Sequence, residues 1–245
     1  MAADGDRRPA YYAAARGGWR DWWTLLHPPY TAWHLSYVVI GACLAPRVET
    51  SRLIATLIAF FLAVGVAAHA VDELHGRPLG TTISSAALVA VTAVSLAGAV
   101  VLGVVGITKV GVVLVPFIVV GPLLVLAYNA ELFGGIAHTT VGFAAAWGAF
   151  PVLTGYVAQT SDLAWAAVLA AGAAFALSCA QRLLSTPARL IRRSTRSVEG
   201  SLTLADGTAV PLDEKTLLAP MEGALRAMSW GRVALAAALA VARLT

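Results

Sequence analysis

The sequence predicts an all-α protein, a polytopic integral membrane helical bundle of six or seven spans with a small cytoplasmic β-hairpin insertion. Apolar residues make up 59% of the 245 residues, charged residues only 12%, and the mean hydropathy is +0.77. The apolar residues fall into runs of roughly 20, the length that crosses hydrocarbon about 30 Å thick. These runs leave no room for a separate soluble catalytic domain, which excludes that class of enzyme.

Six spans follow from successive apolar runs that charged residues rarely interrupt. They are predicted at 31–48, 52–71, 83–104, 108–128, 138–158 and 162–183, so that residues 31–183 form one membrane domain. The C-terminal segment 216–245 holds a further run, 228–241, which is short and carries Arg232. We expect this run to be either a tilted seventh span or a helix that lies at the membrane interface.

The N-terminal segment, residues 1–30, is predicted to be cytoplasmic, amphipathic and interfacial. Its Trp19, Trp22 and Trp23 are typical of an aromatic belt at the level of the lipid headgroups, and Arg20 could reach lipid phosphates. Membrane lipids are therefore expected partners of this segment.

The distribution of basic residues predicts the topology. Of the 17 Lys and Arg residues, 12 fall on one side of the predicted spans and four on the other. The positive-inside rule then places the N-terminus and the loops 72–82 and 129–137 in the cytoplasm, in a protein of the cytoplasmic (inner) membrane. A net charge confined to such segments indicates topology rather than nucleic-acid binding, so no nucleic-acid partner is expected.

Residues 184–215 form the one sizeable polar stretch and are predicted to be a basic cytoplasmic loop that ends in a hairpin. The hairpin is centred on Asp206-Gly207, a short-range turn signal between alternating apolar residues. The basic part holds Arg189, Arg192, Arg193 and Arg196. Its arginines either fix the topology and attract anionic lipids, or form a clamp for a phosphate or diphosphate.

The candidate chemistry lies at the end of the second span, where ionisable residues occur at spanning depth. If the helix continues, His69 lies three residues from Asp72 and four from Glu73, on one helix face. We expect Asp72 and Glu73 to be catalytic and to bind a metal together with His69, His75 and, from the fifth span, His138. Carboxylates with water favour Mg²⁺ or Mn²⁺, whereas added imidazoles shift the preference towards Zn²⁺ or Fe²⁺.

Four polar residues near these ligands are the candidate substrate-binding residues. Arg77 follows the acidic group directly and could either neutralise Asp72 or hold a phosphate through both guanidinium nitrogens. Asn129 ends the fourth span in the same layer, and Arg182 and Arg189 lie at the end of the sixth span.

The chain resembles the UbiA-type membrane prenyltransferase superfamily. Residues 25–183 carry this resemblance, in the following motifs: Leu25-Leu26-His27-Pro28-Pro29-Tyr30 before the first span, the acidic loop with Arg77-Pro78-Leu79 after the second, and Trp147-Gly148 with Gly155-Tyr156 in the fifth. Asp72 matches the family's first aspartate-rich motif, and no carboxylate matches the second.

The resemblance implies an intramembrane helical fold whose cytoplasmic cavity binds a prenyl diphosphate through Mg²⁺ and transfers the prenyl group to an acceptor. Because the second motif is absent, the charge of the leaving diphosphate would be met by Arg77, Arg182 and Arg189.

Three hypotheses therefore follow from the sequence. The first is a divergent prenyltransferase or terpene cyclase whose substrate is an isoprenoid. The second is a metalloenzyme that uses the His and carboxylate side chains on a lipid or quinone. The third, which is not enzymatic, is a permease whose His, Asp and Glu cluster couples transport to protons.

Overall fold

The structure is a computed structural model that describes residues 8–245; the predicted N-terminal segment therefore lies partly outside it. Most of the described chain is helical. Apart from the four-residue turn Leu132–Gly135, the helices are α1 (Trp19–Leu25), α2 (Pro28–Cys43), α3 (Thr50–Leu74), α4 (Ser85–Val110), α5 (Val112–Asn129), α6 (Thr140–Thr160), α7 (Trp165–Ser194) and α8 (Glu214–Leu244). The all-α prediction is confirmed.

Six of these helices, α3 to α8, are long and apolar enough to cross a membrane. Helix α2 is shorter, with 16 residues, and its centre packs against α6 and α8. The approach to α6 is close because Gly41 and Gly155 have no side chain. A Cβ atom at Gly41 would lie 2.1 Å from the carbonyl oxygen of Val152, and one at Gly155 would lie 2.3 Å from that of Val38.

The last two helices are longer than the sequence predicts. Helix α7 runs to Ser194, eleven residues past the predicted end of the sixth span, because its apolar face continues through the buried Ala188. Helix α8 has 31 residues, and Arg232 lies inside it. The guanidinium of Arg232 stacks on the ring of Trp33, 3.7 Å from its centroid, which buries this charge among aromatic side chains.

Two helices widen into π-helical turns where they meet the middle of the bundle. These turns are Phe61–Ala68 in α3 and Ala145–Ala149 in α6. Val64 and Ala68 of the first turn pack in one core cluster with Ala146 and Trp147 of the second. Turns of this kind are frequent at functional sites because they displace side chains from the regular helical positions.

The predicted hairpin is confirmed. Strand β1 (Gly200–Thr203) pairs antiparallel with β2 (Ala209–Leu212), with Gly200 opposite Leu212. At the turn, Gly207 has a φ of 85° and the Asp206 carboxylate accepts a hydrogen bond from the Thr208 backbone at 2.9 Å. Helix α8 follows at once, capped by Asp213.

Candidate functional site

A polar cavity of about 370 Å³ opens at one end of the bundle. The start of α2, the ends of α3 and α5, the start of α6 and the polar turns of α7 and α8 meet there. All five histidines of the chain line this cavity: His27, His34, His69, His75 and His138. In a chain with so few polar residues, their convergence marks the cavity as the candidate site.

Four arginines of α7 form one wall of the cavity: Arg182, Arg189, Arg192 and Arg193. Arg192 is neutralised by Glu222 of α8. Its Nε donates a hydrogen bond to Oε1 of Glu222, and its Nη2 donates one to Oε2 at 2.8 Å. Within residues 8–245 the other three have no carboxylate within ion-pair distance. The wall therefore offers three arginine charges to a ligand.

These three arginines are held by neutral oxygen atoms. Arg182 donates to the hydroxyl of Tyr128 and, at 3.4 Å, to the carbonyl oxygen of His138. Arg189 donates to the Thr186 hydroxyl at 3.3 Å, and Arg193 donates to the carbonyl oxygen of Pro9 at 3.3 Å. Neutral partners therefore orient these guanidinium groups, and none of the three forms an ion pair within residues 8–245.

Asp72 lines the cavity, whereas Glu73 does not reach it. The Glu73 side chain is fully buried and accepts hydrogen bonds from the backbone of Leu79 at 2.9 Å and from the backbone and hydroxyl of Thr81 at 2.8 and 2.9 Å. Successive residues of a helix point about 100° apart, so the two carboxylates face different ways. The structure therefore does not bring Glu73, predicted as catalytic and metal-binding, to the site.

Arg77 likewise lies outside the cavity wall. Its Nη1 donates to the carbonyl oxygen of Ile83 at 2.5 Å and its Nη2 to the Ser85 hydroxyl at 2.7 Å, so it holds the loop onto the start of α4. Its own backbone has a φ of 54°, in the left-handed region. The structure brings Arg77 to neither Asp72 nor the arginine wall.

His69 lies beside a histidine that the sequence reasoning did not select. Its Nδ1 bonds the carbonyl oxygen of Gly65 at 3.0 Å, and its ring centroid is 4.4 Å from that of His27. His27 precedes the first turn of α2 with a φ of 45° and is buried. The signal that could have found it is the sequence His27-Pro28-Pro29, because prolines mark the first turn of a helix and place the preceding residue at its end.

The pKa of His27 is well below its ordinary value. Burial is the main cause, and the nearby His69 and the charges of Arg193 and Arg189 lower it further. His27 is therefore neutral around pH 7.

The remaining predicted residues, His75, His138 and Asn129, also line the cavity. His75 and His138 flank Glu131, with nitrogen to oxygen distances of 3.8 and 3.6 Å. The His138 ring stacks on Tyr128 with 4.5 Å between centroids. Asn129 lines the cavity and donates to the carbonyl oxygen of Val125 at 2.8 Å.

The side chains of the cavity that could bind a metal ion suit an ion that a bound ligand also coordinates. No three His, Cys, Asp or Glu side chains in the described part of the chain are grouped so that they could hold a metal ion. Of the predicted ligands, Asp72, His69, His75 and His138 share the cavity without converging. A single carboxylate does fit the way in which Mg²⁺ is bound in many enzymes, by one or two carboxylates together with substrate phosphates and water.

An apolar groove of about 300 Å³ adjoins the polar cavity. It lies between α3, α4, α5 and α6, and its walls are almost entirely apolar. Val64 and Trp147, two packed core side chains, line both the groove and the polar cavity, so they lie at the boundary between the two spaces. The groove extends to Arg52 and Lys109 near the far ends of α3 and α4.

The chain matches no protein-family model, no curated protein and no solved structure.

Proposed function

We propose that the protein is an intramembrane enzyme that binds a prenyl diphosphate and transfers its prenyl group, as a divergent relative of the UbiA-type prenyltransferases. The observation that carries this proposal is that a cavity lined by three arginines without an ion-pair partner borders an apolar groove at Val64 and Trp147. Such a site is complementary to a molecule with an anionic head and an apolar tail.

The head group is assigned to the arginine wall. Arg182, Arg189 and Arg193 supply planar groups of N–H donors that match phosphate oxygens, and guanidinium groups recognise phosphates through paired hydrogen bonds. Asp72, on the facing helix, is the one carboxylate of the predicted acidic motif that lines the cavity. Asp72 would hold Mg²⁺ jointly with the diphosphate, and the bound ion would supply further positive charge for the leaving group.

The tail is assigned to the groove. Val64 and Arg52 are 12 residues apart on α3, which corresponds to about 18 Å along the helix. This length suits an extended isoprenoid chain of the size of a farnesyl or geranylgeranyl group. Ala59, with a single methyl group as its side chain, is among the residues that line the groove.

The reaction would begin when the allylic C–O bond breaks and its electron pair leaves with the diphosphate. Positive charge develops on the allylic carbon, close to the aromatic rings of Trp147, Phe143 and Tyr128, whose faces stabilise cations. The carbon then bonds to a nucleophilic atom of the acceptor, and the proton that this atom loses passes to the released diphosphate.

The proposed setting is a cytoplasmic membrane with the cavity facing the cytoplasm. Six helices of sufficient length and hydropathy support a membrane location, and the excess of basic residues at the cavity end supports this orientation. Trp19 and Trp23 of α1 are exposed, at 71% and 47%, next to the same end of the bundle. Side chains of this kind prefer the headgroup region, so α1 would lie on the cytoplasmic leaflet.

A binding and turnover assay tests the proposal. The purified full-length protein in detergent is incubated with radiolabelled geranyl, farnesyl or geranylgeranyl diphosphate, with and without Mg²⁺. We expect saturable binding, with a preference for the longer chains, and release of diphosphate when an acceptor is supplied. Absence of both binding and release under every condition would contradict the proposal.

A second candidate function is supported by the five histidines that share the cavity. They favour a metalloenzyme that acts on a lipid or quinone and uses Zn²⁺ or Fe²⁺, since imidazole suits these ions, or Mn²⁺ held mainly by Asp72. Elemental analysis of protein purified without chelators tests it. One bound transition metal per chain, lost on substitution of His69 and Asp72, would favour this second function over the first.

A further inference from the structure

His27 carries a polar atom that its surroundings leave without a partner. The residue is 8% exposed and lines the polar cavity. Its Nδ1 is hydrogen-bonded to the hydroxyl of Tyr12, whereas its Nε2 is buried and has no hydrogen-bond partner among residues 8–245. Buried polar atoms nearly always have partners, so an isolated one that borders a cavity indicates a missing ligand.

The bond to Tyr12 determines what Nε2 can do. Burial raises the pKa of Tyr12 well above its ordinary value, so this hydroxyl keeps its proton. Nδ1 of His27 is the one acceptor that the described chain offers to that proton. A neutral imidazole that accepts at Nδ1 carries its own proton on Nε2. His27 therefore presents an uncharged N–H donor.

The neighbours of His27 indicate the kind of group that this donor would meet. Arg189 and Arg193 line the same cavity, and both are close enough to affect the protonation of His27. An N–H donor beside two guanidinium groups is complementary to an anionic oxygen. A neutral carbonyl or hydroxyl oxygen would leave those charges uncompensated.

We propose that the Nε2–H of His27 donates a hydrogen bond to a phosphate oxygen of the bound diphosphate, beside Arg189 and Arg193, and that Tyr12 is the positioning residue that keeps the proton on Nε2. This inference rests on the proposed function and adds a ligand-binding residue to it. It also assigns a role to the N-terminal segment Pro9–Tyr12, which lines the cavity and places Tyr12.

Calorimetric titration of the full-length protein with inorganic pyrophosphate and with farnesyl thiodiphosphate tests the proposal. We expect His27→Phe to weaken the binding of both probes about tenfold or more, because it removes a hydrogen bond to a charged group. His27→Gln retains an N–H donor and should recover part of the affinity. Tyr12→Phe should cause a smaller loss, and Tyr156→Phe, in a core cluster away from the cavity, is the matched control.

The position of the proton on the His27 ring shows whether Tyr12 positions that proton or has a purely structural role. In protein labelled with ¹⁵N-histidine, the resonances of His27 should show the proton on Nε2, and Tyr12→Phe should shift the proton partly to Nδ1. A wild-type protein with the proton on Nδ1 would overturn the proposal. Wild-type affinity for pyrophosphate in a folded His27→Phe variant would also overturn it.

The outcomes distinguish this inference from the function on which it rests. Suppose that the wild-type protein binds both probes, that substitution of Arg182 and Arg189 abolishes this binding, and that substitution of His27 does not. This result would refute only the role of His27. If the wild-type protein binds neither probe, the proposed function and the role of His27 fail together.

Discussion

Asp72 and Glu73 are adjacent in the chain, yet their carboxylates serve different parts of the molecule. Asp72 lines the polar cavity, whereas Glu73 is fully buried and holds the loop that follows α3 through hydrogen bonds from Leu79 and Thr81. Substitution of Asp72 should therefore affect ligand binding and turnover, whereas substitution of Glu73 should affect the stability of the fold.

Glu73→Ala should destabilise the fold. The substitution leaves the buried N–H of Leu79 and both donors of Thr81 without an acceptor, at a cost of about 3 kcal/mol in the free energy of unfolding. Thermal unfolding in detergent measures the effect. Asp72→Asn is the matched control, and we expect it to unfold at nearly the wild-type temperature while it loses Mg²⁺-dependent turnover. Equal destabilisation by the two substitutions would contradict this division of roles.

Arg182→Gln and Arg189→Gln should each weaken the binding of farnesyl thiodiphosphate about tenfold or more, because each removes a charged donor from the head group. The control is Arg20→Gln, an exposed arginine of α1 beside Trp19. Equilibrium binding with the radiolabelled probe checks the prediction. Loss of affinity in the control to the same degree would mean that the arginines act through net charge rather than through a defined site.

Ala59→Phe should shorten the isoprenoid chain that the protein accepts. Ala59 lines the apolar groove between Val64 and the far end at Arg52, so a phenyl ring there would fill the proposed path of a long tail. We expect the preference to move from geranylgeranyl towards geranyl diphosphate in a competition assay. Ala166→Phe, on the exposed side of α7, serves as the control. An unchanged preference in Ala59→Phe would place the tail elsewhere.

The attachment of α1 should depend on pH through Asp21. Burial by itself raises the pKa of Asp21, but hydrogen bonds from Gly17 and Thr82, with the charge of Arg16, outweigh it, and the pKa is lowered. This carboxylate therefore stabilises the fold at pH values above its unfolded pKa of about 3.9. The contribution is lost as the pH falls through the lower pKa of the folded state.

Thermal unfolding of the wild type and of Asp21→Asn between pH 6 and pH 3 measures this dependence. The wild type should be the more stable protein at the upper end of that range, and the difference should shrink below about pH 4. A difference that stays constant across the range would show that the charge of Asp21 has no part in holding α1.

Much of the fold could be predicted from the sequence, because apolar length and turn chemistry are local properties. The hairpin at Asp206-Gly207 and the long apolar helices are of this kind. The extent of α8 could not be predicted, since Arg232 suggests an interrupted span until the Trp33 ring that covers it is known. That contact joins residues that are far apart in the chain.

Only part of the site could be predicted, because some of its contacts also join residues that are far apart in the chain. Asp72, His69 and Arg182 line the cavity because the ends of several helices meet there. Sequence spacing could not reveal that Glu73 and Arg77 are engaged by the loop between α3 and α4. It also could not reveal His27, whose role depends on Tyr12 and on the distant arginines of α7.

A structure of the full-length protein with bound geranylgeranyl thiodiphosphate tests the central claim most directly. The account predicts that the diphosphate lies between Arg182, Arg189 and Arg193 and that the tail passes between Val64 and Trp147 into the apolar groove. A head group bound away from the arginine wall, or a groove filled by lipid while the tail lies elsewhere, would contradict it.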